Sequence, residues 1–194
     1  GIDLVEWQLR IARGEPLALT QGDVQFDGHA IEIRIAAENP AENFHPETGE
    51  ITLWAPPADV RLDTGVECGS VVGHHYDSMI AKLIVHAPDR TGAIRRAITA
   101  IDAFAVGGVG LNLAYQRALL AHPDFAAFRH HPSYLPEMFP GGWTESSADP
   151  RDMAFAAMAL HLRLVPAGAS PWGSLGAWRL TAPAGQSGAA FYWD

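Results

Sequence analysis

The residues of this sequence best suited to chemistry lie in an alternating run over residues 29–36. Three isoleucines occupy every second position, which predicts a strand with one buried face and one polar face. Glu32 and Arg34 fall on the polar face. A guanidinium is a planar fork of donors that binds a carboxylate-like anion through two hydrogen bonds. By itself, however, this pattern favours a solvated strand arginine paired with Glu32 or with an acid across the sheet.

A second polar group, Tyr76 and Asp77, lies just before a predicted buried strand. Asp77 follows a glycine-containing turn, so its carboxylate can orient Arg34 through an ion pair, or it can instead cap the start of the strand. Tyr76 is a candidate wall of a binding pocket, although a half-buried place in the core is the commoner fate of a tyrosine. If this region forms a site, its candidate residues are Arg34, Tyr76 and Asp77.

The elements around these residues predict an α+β fold, in which an antiparallel sheet packs with helices. Asp3, Asp89 and Asn112 are the expected N-caps of three helices, and the helix that begins at Asp89 should end at Gly107 and Gly108. We expect the two short strands on either side of Pro56-Pro57 to pair with each other. The predicted elements are helices over 3–13, 89–106 and 112–120 and strands over 29–36, 50–54, 58–62 and 78–87.

The distribution of turn-forming residues predicts two domains. Residues 1–138 form the first, and residues 139–150, rich in proline, glycine and serine, form a linker. Residues 151–194 carry a helix followed by short apolar and aromatic patches, which are typical of the start of a second, β-rich domain.

Composition argues against several classes of function. The net charge is −9 and the 13 basic residues are dispersed, which argues against a nucleic-acid surface. No run is long and apolar enough to span a membrane, so we expect no membrane association and a cytoplasmic location. The pairs His74-His75 and His130-His131 have no further Cys or His at ligand spacing, so we predict no metal site.

Three runs in this order resemble the biotin carboxylase C-terminal domain of acyl-CoA carboxylase α subunits, of the acetyl-, propionyl- or methylcrotonyl-CoA type. They begin at Gly1 (GIDLVEWQLRIA), Gly28 (GHAIEIRIAAENP) and Tyr76 (YDSMIAKLIV), and the similarity covers about residues 1–135. Residues 176–180 (GAWRL) resemble a segment that follows in the acyl-CoA enzymes, which favours that subtype.

The resemblance implies a ligase that carboxylates carrier-bound biotin with ATP and bicarbonate. Arg34 stands at the family's matching position, where it would bind bicarbonate and stabilise the biotin enolate. The family's ATP-grasp core, which holds ATP and magnesium, precedes the position of Gly1, so we expect this chain alone to bind no cofactor and to be inactive. The implied partners are the upstream ATP-grasp domain, a biotin carrier domain and the carboxyltransferase β subunit.

Two alternatives stay open. The chain can be a non-catalytic module that binds carboxylases, or the same domain of a pyruvate or urea carboxylase. It should not be the biotin carrier itself, because its one lysine, Lys82, lies in a strand-like run and not in a Met-Lys-Met turn. Sequence does not indicate which acyl-CoA is used, because the carboxyltransferase selects it.

Overall fold

The computed structural model describes residues 2–131, 133–144 and 156. The chain divides into two units, Gly1–Glu145 and Ser146–Asp194, and the elements below belong to the first. This division falls inside the predicted linker. The helix and strands predicted for residues 151–194 lie outside the described residues, apart from Ala156, so the predicted domain boundaries stay predictions.

Within the described part of the chain, the secondary structure consists of short strands and helices in mixed order. The strands are β1 (His29–Ala36), β2 (Glu38–Asn39), β3 (His45–Pro46), β4 (Gly49–Glu50), β5 (Leu53–Ala55), β6 (Arg61–Thr64), β7 (Val71–Val72), β8 (Met79–Ala87) and β9 (Ala105–Gly107). The helices are α1 (Leu4–Ala12), α2 (Arg90–Asp102), α3 (Leu113–Ala121), α4 (Pro123–Ala126) and α5 (Leu135–Met138), with 3-10 turns at Gln21–Asp23 and Pro40–Glu42.

The main sheet has the order β1-β8-β6, with both pairs antiparallel. Three two-stranded ladders surround it and join β2 with β3, β4 with β7, and β5 with β9. The predicted α+β class, an antiparallel sheet packed with helices, is confirmed. The burial of the central strand β8 also alternates, since Ala81, Leu83 and Val85 are buried while Lys82 and Ile84 are half-buried and His86 is exposed. The alternating pattern of β1 suits an edge strand with one covered face.

The predicted alternation in β1 is present. Ile31, Ile33 and Ile35 are buried, whereas Glu32 and Arg34 are exposed. The isoleucines pack in the core with Leu83 and Val85 of β8 and with the buried face of α2, and each is worth roughly 1.5–3 kcal/mol of burial. The core therefore fixes which way the polar residues of β1 face.

Two aspartates begin helices as predicted. Asp3 accepts hydrogen bonds from the backbone N–H groups of Val5 and Glu6, each at 3.0 Å. Asp89 accepts one from Gly92 at 2.7 Å and thereby begins α2. These bonds satisfy amide groups that have no partner inside the helix. The cap at Asp89 also sets where α2 starts to cross the sheet.

Two predictions, one about strand pairing and one about the end of a helix, were wrong. The strands around Pro56-Pro57 do not pair with each other, because β6 pairs with β8 and β5 pairs with β9. Pairing with β8 places Leu62 opposite the buried Leu83, and a local hairpin would forgo that burial. Gly107 and Gly108 do not end α2, which stops at Asp102. Gly107 belongs to β9, and Gly108, with a φ of 96°, approaches the carbonyl oxygen of Glu50 so closely that a Cβ would collide with it.

No helix among the described residues is long and apolar enough to cross a membrane. α2 has 13 residues and carries several charges, whereas a transmembrane helix needs roughly 20 apolar residues.

Candidate functional site

The face of the main sheet opposite the isoleucines is a row of charged residues. Arg34 lies directly across from Lys82, and Lys82 lies across from Asp63. Two residues further along β8, Ile84 lies between Glu32 of β1 and Arg61 of β6. The antiparallel register alone brings these five charged residues together, although they are spread over 51 positions from residue 32 to residue 82. We call these five residues the polar face.

The side chain of Arg34 is 71% exposed and makes one weak contact, from Nε to Oε1 of Glu32 at 3.5 Å. An exposed pair at that distance contributes little to stability. The sequence-based alternative, a strand arginine paired with Glu32, is thus partly present. The contact nevertheless leaves most of the guanidinium fork accessible to an anion.

Lys82 places a second cation beside Arg34. The carbonyl group of Arg34 bonds to Asn112 on the side of β1 away from β8, so Arg34 and Lys82 form a pair that exchanges no ladder hydrogen bond. In such pairs the Cα atoms are only about 4.5 Å apart. Like charges placed directly opposite each other repel, and an anion bound between them would relieve that repulsion.

The acid nearest to Lys82 across the sheet is already engaged. Asp63 accepts from Arg61 Nε at 3.1 Å and from Arg61 Nη2 at 3.0 Å. These hydrogen bonds, and to a smaller extent the charge of Lys82, hold the pKa of Asp63 below its usual value, and Asp63 in turn raises the pKa of Arg61. Among the described residues no carboxylate lies within ion-pair distance of Lys82. The polar face therefore keeps a net positive end at Arg34 and Lys82.

The predicted ion pair between Asp77 and Arg34 is absent, although the structure describes both residues. Asp77 instead accepts from Ser78 Oγ and from the backbone N–H of Met79, both at 3.4 Å, which is the strand-start role considered as the alternative. The side chain is held locally because β8 begins two residues later, so its carboxylate can satisfy that end of the strand.

Tyr76 is 91% exposed, so neither a half-buried core position nor an enclosed pocket wall describes it within this unit. The loop that carries it nevertheless ends close to Arg34. Ala37 donates to the carbonyl oxygen of Ser78 at 2.9 Å, and Ser78 Oγ donates to Glu38. The structure thus brings the loop of Tyr76 and Asp77 to the end of β1, but neither side chain forms a hydrogen bond or ion pair with Arg34.

The histidine pairs show no metal-binding arrangement. The rings of His74 and His75 lie against each other at a tilt of 42°, with centroids 4.2 Å apart, and His130 stacks on Phe125 at 4.7 Å. Across the residues that the structure describes, no three His, Cys, Asp or Glu side chains are grouped so that they could hold an ion. The donors that magnesium prefers, several convergent oxygens, are not assembled on the polar face.

Sequence reasoning missed two features. Asn112 was predicted to cap α3, but its side chain makes no capping hydrogen bond and instead reaches β1. Arg90 is covered by two aromatic rings near the start of β1. An asparagine between two leucines and an arginine after a helix cap are common in any sequence, so no local pattern could have revealed either contact.

This chain is similar in sequence to a known domain family and to subunits of known carboxylases. A family model described as the biotin carboxylase C-terminal domain matches residues 32–137. The propionyl-CoA carboxylase alpha chain of Ruegeria pomeroyi is 39% identical over 186 residues, which cover 83% of this chain and 27% of that protein. The mitochondrial methylcrotonoyl-CoA carboxylase subunit alpha of Arabidopsis thaliana is 43% identical over 145 residues, covering 70% of this chain and 20% of that protein.

A solved structure is similar over the same region. The biotin carboxylase subunit of pyruvate carboxylase superposes with a TM-score of 0.67 at 39% identity and covers 75% of this chain and 33% of that one. The chain therefore spans about a quarter of the length of the curated relatives it matches.

Proposed function

Because this chain belongs to the biotin carboxylase C-terminal domain family, we propose that it supplies the Arg34 side of the site at which a biotin-dependent acyl-CoA carboxylase carboxylates its carrier-bound biotin. The reaction uses ATP and bicarbonate. The observation that carries this proposal is the exposed, weakly paired guanidinium of Arg34 beside Lys82, on a strand whose other face is buried.

The chemistry of such a site is anionic at each stage, and Arg34 suits each stage. Bicarbonate presents two oxygens at the spacing that a guanidinium fork binds through two parallel hydrogen bonds. When biotin loses a proton and its ureido oxygen becomes negative, the same fixed charge stabilises it without reorganising. The buried isoleucines make this possible, because they prevent β1 from rotating the guanidinium away.

The other components of the reaction are assigned to sequence outside this chain. ATP and magnesium would be held by an ATP-grasp domain, biotin would arrive on a carrier domain, and a carboxyltransferase β subunit would use the product. Among the described residues the polar face assembles no set of oxygen donors for magnesium. We propose that this chain by itself binds no nucleotide and catalyses no ATP cleavage. We also propose Tyr76 and Asp77, on the loop that ends beside β1, as residues on the biotin and bicarbonate side of the site.

The acyl-CoA subtype is favoured by the length of one alignment. The similarity to the propionyl-CoA carboxylase alpha chain extends over 186 residues and so reaches beyond the domain matched by the family model. A second candidate is the same domain of a pyruvate or urea carboxylase, which the similarity to the pyruvate carboxylase subunit supports. A non-catalytic carboxylase-binding module is the third, and it predicts that Arg34 is dispensable.

The test is the Arg34→Ala substitution in the full-length subunit that carries this chain. We expect carboxylation of biotin to fall about 100- to 1,000-fold, as for loss of one preorganised donor at a developing charge, while the KM for ATP stays nearly unchanged. The measurement is steady-state kinetics with bicarbonate, biotin and ATP varied in turn. Arg95→Ala is the matched control, because Arg95 is an exposed arginine on α2, outside the polar face. Normal turnover in the Arg34→Ala enzyme would refute the proposal.

A further inference from the structure

Asn112 is the one polar or charged side chain that is buried among the residues the structure describes, at 5% exposure. It lies just before α3, which packs on α2. Burying a carboxamide without partners costs free energy, so buried amides are normally hydrogen-bonded. The partners of Asn112 show what this burial achieves.

Both hydrogen bonds of its side chain in the described structure go to one short stretch of β1. Its Nδ2 donates to the carbonyl oxygen of Arg34 at 3.2 Å, and its Oδ1 accepts from the N–H of Ala36 at 3.1 Å. Its backbone N–H also donates to the carbonyl oxygen of Ala36 at 3.1 Å. The orientation of the carboxamide is fixed by chemistry, since a carbonyl can only accept and an amide N–H can only donate.

The carboxamide therefore takes the place of a neighbouring strand. β1 is an edge strand of the main sheet, with β8 on one side only. An edge strand presents unpaired N–H and C=O groups, and the side chain of Asn112 carries both complementary groups in the plane of one amide. It closes the free edge of β1 at Arg34 and Ala36, the place where the candidate site needs a rigid backbone.

A bulge in the pairing of β1 with β8 explains why β1 also needs the hydrogen bonds to Asn112. Ile35 pairs with Ala81, but the next residue, Ala36, pairs with Met79, so Ile80 is an extra residue on β8. Bulges interrupt the ladder and change the direction of nearby side chains. The segment just after Arg34 is consequently held less regularly by β8, and Asn112 holds it from the opposite side.

We propose that Asn112 is a positioning residue for Arg34, which fixes the backbone of β1 at the bulge so that the guanidinium keeps the direction needed for its anionic substrates. This inference rests on the proposed function of Arg34. It also links α3 to the site, because any shift of the start of α3 would be transmitted to the carbonyl group of Arg34.

The experiment uses the full-length subunit with Asn112→Ala and Asn112→Asp. Alanine removes both side-chain bonds, whereas aspartate keeps the shape and the acceptor for Ala36 but loses the donor to Arg34. We expect kcat/KM for bicarbonate to fall about 10- to 100-fold in both variants, as for a displacement of about 1 Å in a reacting group, with the KM for ATP unchanged. If Asn112→Ala does not fold, the isosteric Asn112→Asp carries the test.

Two comparisons separate positioning from mere stability. In an Arg34→Ala background, Asn112→Asp should produce no further loss, because the residue acts through Arg34; losses that multiply would overturn the inference. Leu120→Ala, which empties a buried site on α3 without touching β1 through a hydrogen bond, should lower the unfolding midpoint but leave kcat/KM unchanged. An equal kinetic loss in Leu120→Ala would show that Asn112 only stabilises the fold.

The two proposals fail in different ways. If Arg34→Ala retains full activity, the proposed function itself is wrong. If Arg34→Ala loses activity while both Asn112 variants retain it, only the positioning role is refuted. Hydrogen exchange at the Ala36 amide gives an independent readout, because its protection should decrease in Asn112→Ala and be retained in Asn112→Asp.

Discussion

Arg34 lies near the end of β1 and Arg90 lies against its first residue, His29, and the surroundings of the two arginines are opposite. Arg34 lies on the open polar face with one contact at 3.5 Å. Arg90 donates to the carbonyl oxygen of Phe125, lies 3.0 Å from His29 Nε2, and has its guanidinium carbon 4.6 Å from the ring centre of Phe125 and 3.7 Å from that of Phe128. We call Arg90, His29, Phe125 and Phe128 the aromatic corner.

The difference shows how one residue type serves two purposes. At the aromatic corner, burial lowers the pKa of Arg90, and its Nε is buried without a hydrogen-bond partner in the described structure. The free-energy cost of this buried, unpaired Nε is offset by the cation–π contacts and by the hydrogen bonds of the two terminal nitrogens of the guanidinium. The polar groups of Arg90 are therefore mostly engaged within the fold, whereas Arg34 contributes little to the fold and is accessible to ligands.

The largest expected effect on stability is at the aromatic corner. Arg90→Leu should lower the free energy of unfolding by about 2–4 kcal/mol, because it removes a charged hydrogen bond to Phe125 and two cation–π contacts. Chemical denaturation of the variant and the parent chain measures this. Arg95→Leu on the exposed side of the same helix is the control and should change stability by less than about 0.5 kcal/mol. Equal effects of the two substitutions would mean that Arg90 is not a structural residue.

A second prediction concerns the acid next to the aromatic corner. Asp124 accepts hydrogen bonds from the hydroxyl of Tyr134 and from Arg129 Nε at 2.7 Å. The bond from Tyr134, and then that from Arg129, hold the pKa of Asp124 below its usual value, while the same carboxylate raises the pKa of Tyr134 to about 12. A lowered folded-state pKa stabilises the fold above the unfolded pKa of about 3.9, and this contribution is lost as the pH falls through the folded value.

The variant Asp124→Asn should therefore be less stable than the parent chain at pH 7, and this difference should shrink as the pH is lowered below about 4. Denaturation midpoints measured from pH 7 down to pH 2.5 or so give the result. Asp27→Asn, at an exposed carboxylate before β1, provides the comparison. A difference that stays constant with pH would show that the hydrogen bonds to Asp124 do not depend on its charge.

The smallest expected effect is on the polar face. Arg34→Ala should change the free energy of unfolding by less than about 0.5 kcal/mol, since an exposed pair at 3.5 Å is worth little. The same denaturation experiment measures it. A loss comparable to that of Arg90→Leu would remove the contrast between the two arginines and with it the argument that Arg34 is kept for chemistry.

Much of the local structure could be predicted from the sequence. The period of two in β1 predicted which residues are buried, because a strand in half-contact with a core must alternate. Asp3 and Asp89 predicted the helix starts, because a carboxylate that accepts from the first turn acts over only a few residues. The three ordered runs predicted the family, which the comparisons confirm.

Contacts between distant residues could not be predicted in this way. The pairing of β6 with β8 depended on the burial of Leu62 against Leu83, which competes with any local hairpin. The carboxylate of Asp77 accepts from the backbone N–H of Met79, two residues along the chain, and does not pair with Arg34. In both cases a partner nearby in sequence competed with a distant one. A pattern in one sequence does not show which of the two interactions has the lower free energy.

The sequence by itself determined that the side chain of Arg34 lies on the face of the sheet opposite three isoleucines, because alternation along a strand depends only on neighbouring residues. Only the tertiary structure decided what surrounds it. Lys82 lies opposite through the β1–β8 register, and Asn112 holds its carbonyl from 78 positions away along the chain. Those partners are selected by the packing of the whole unit, since a hydrogen bond across the fold forms only where the core has already brought the two groups together.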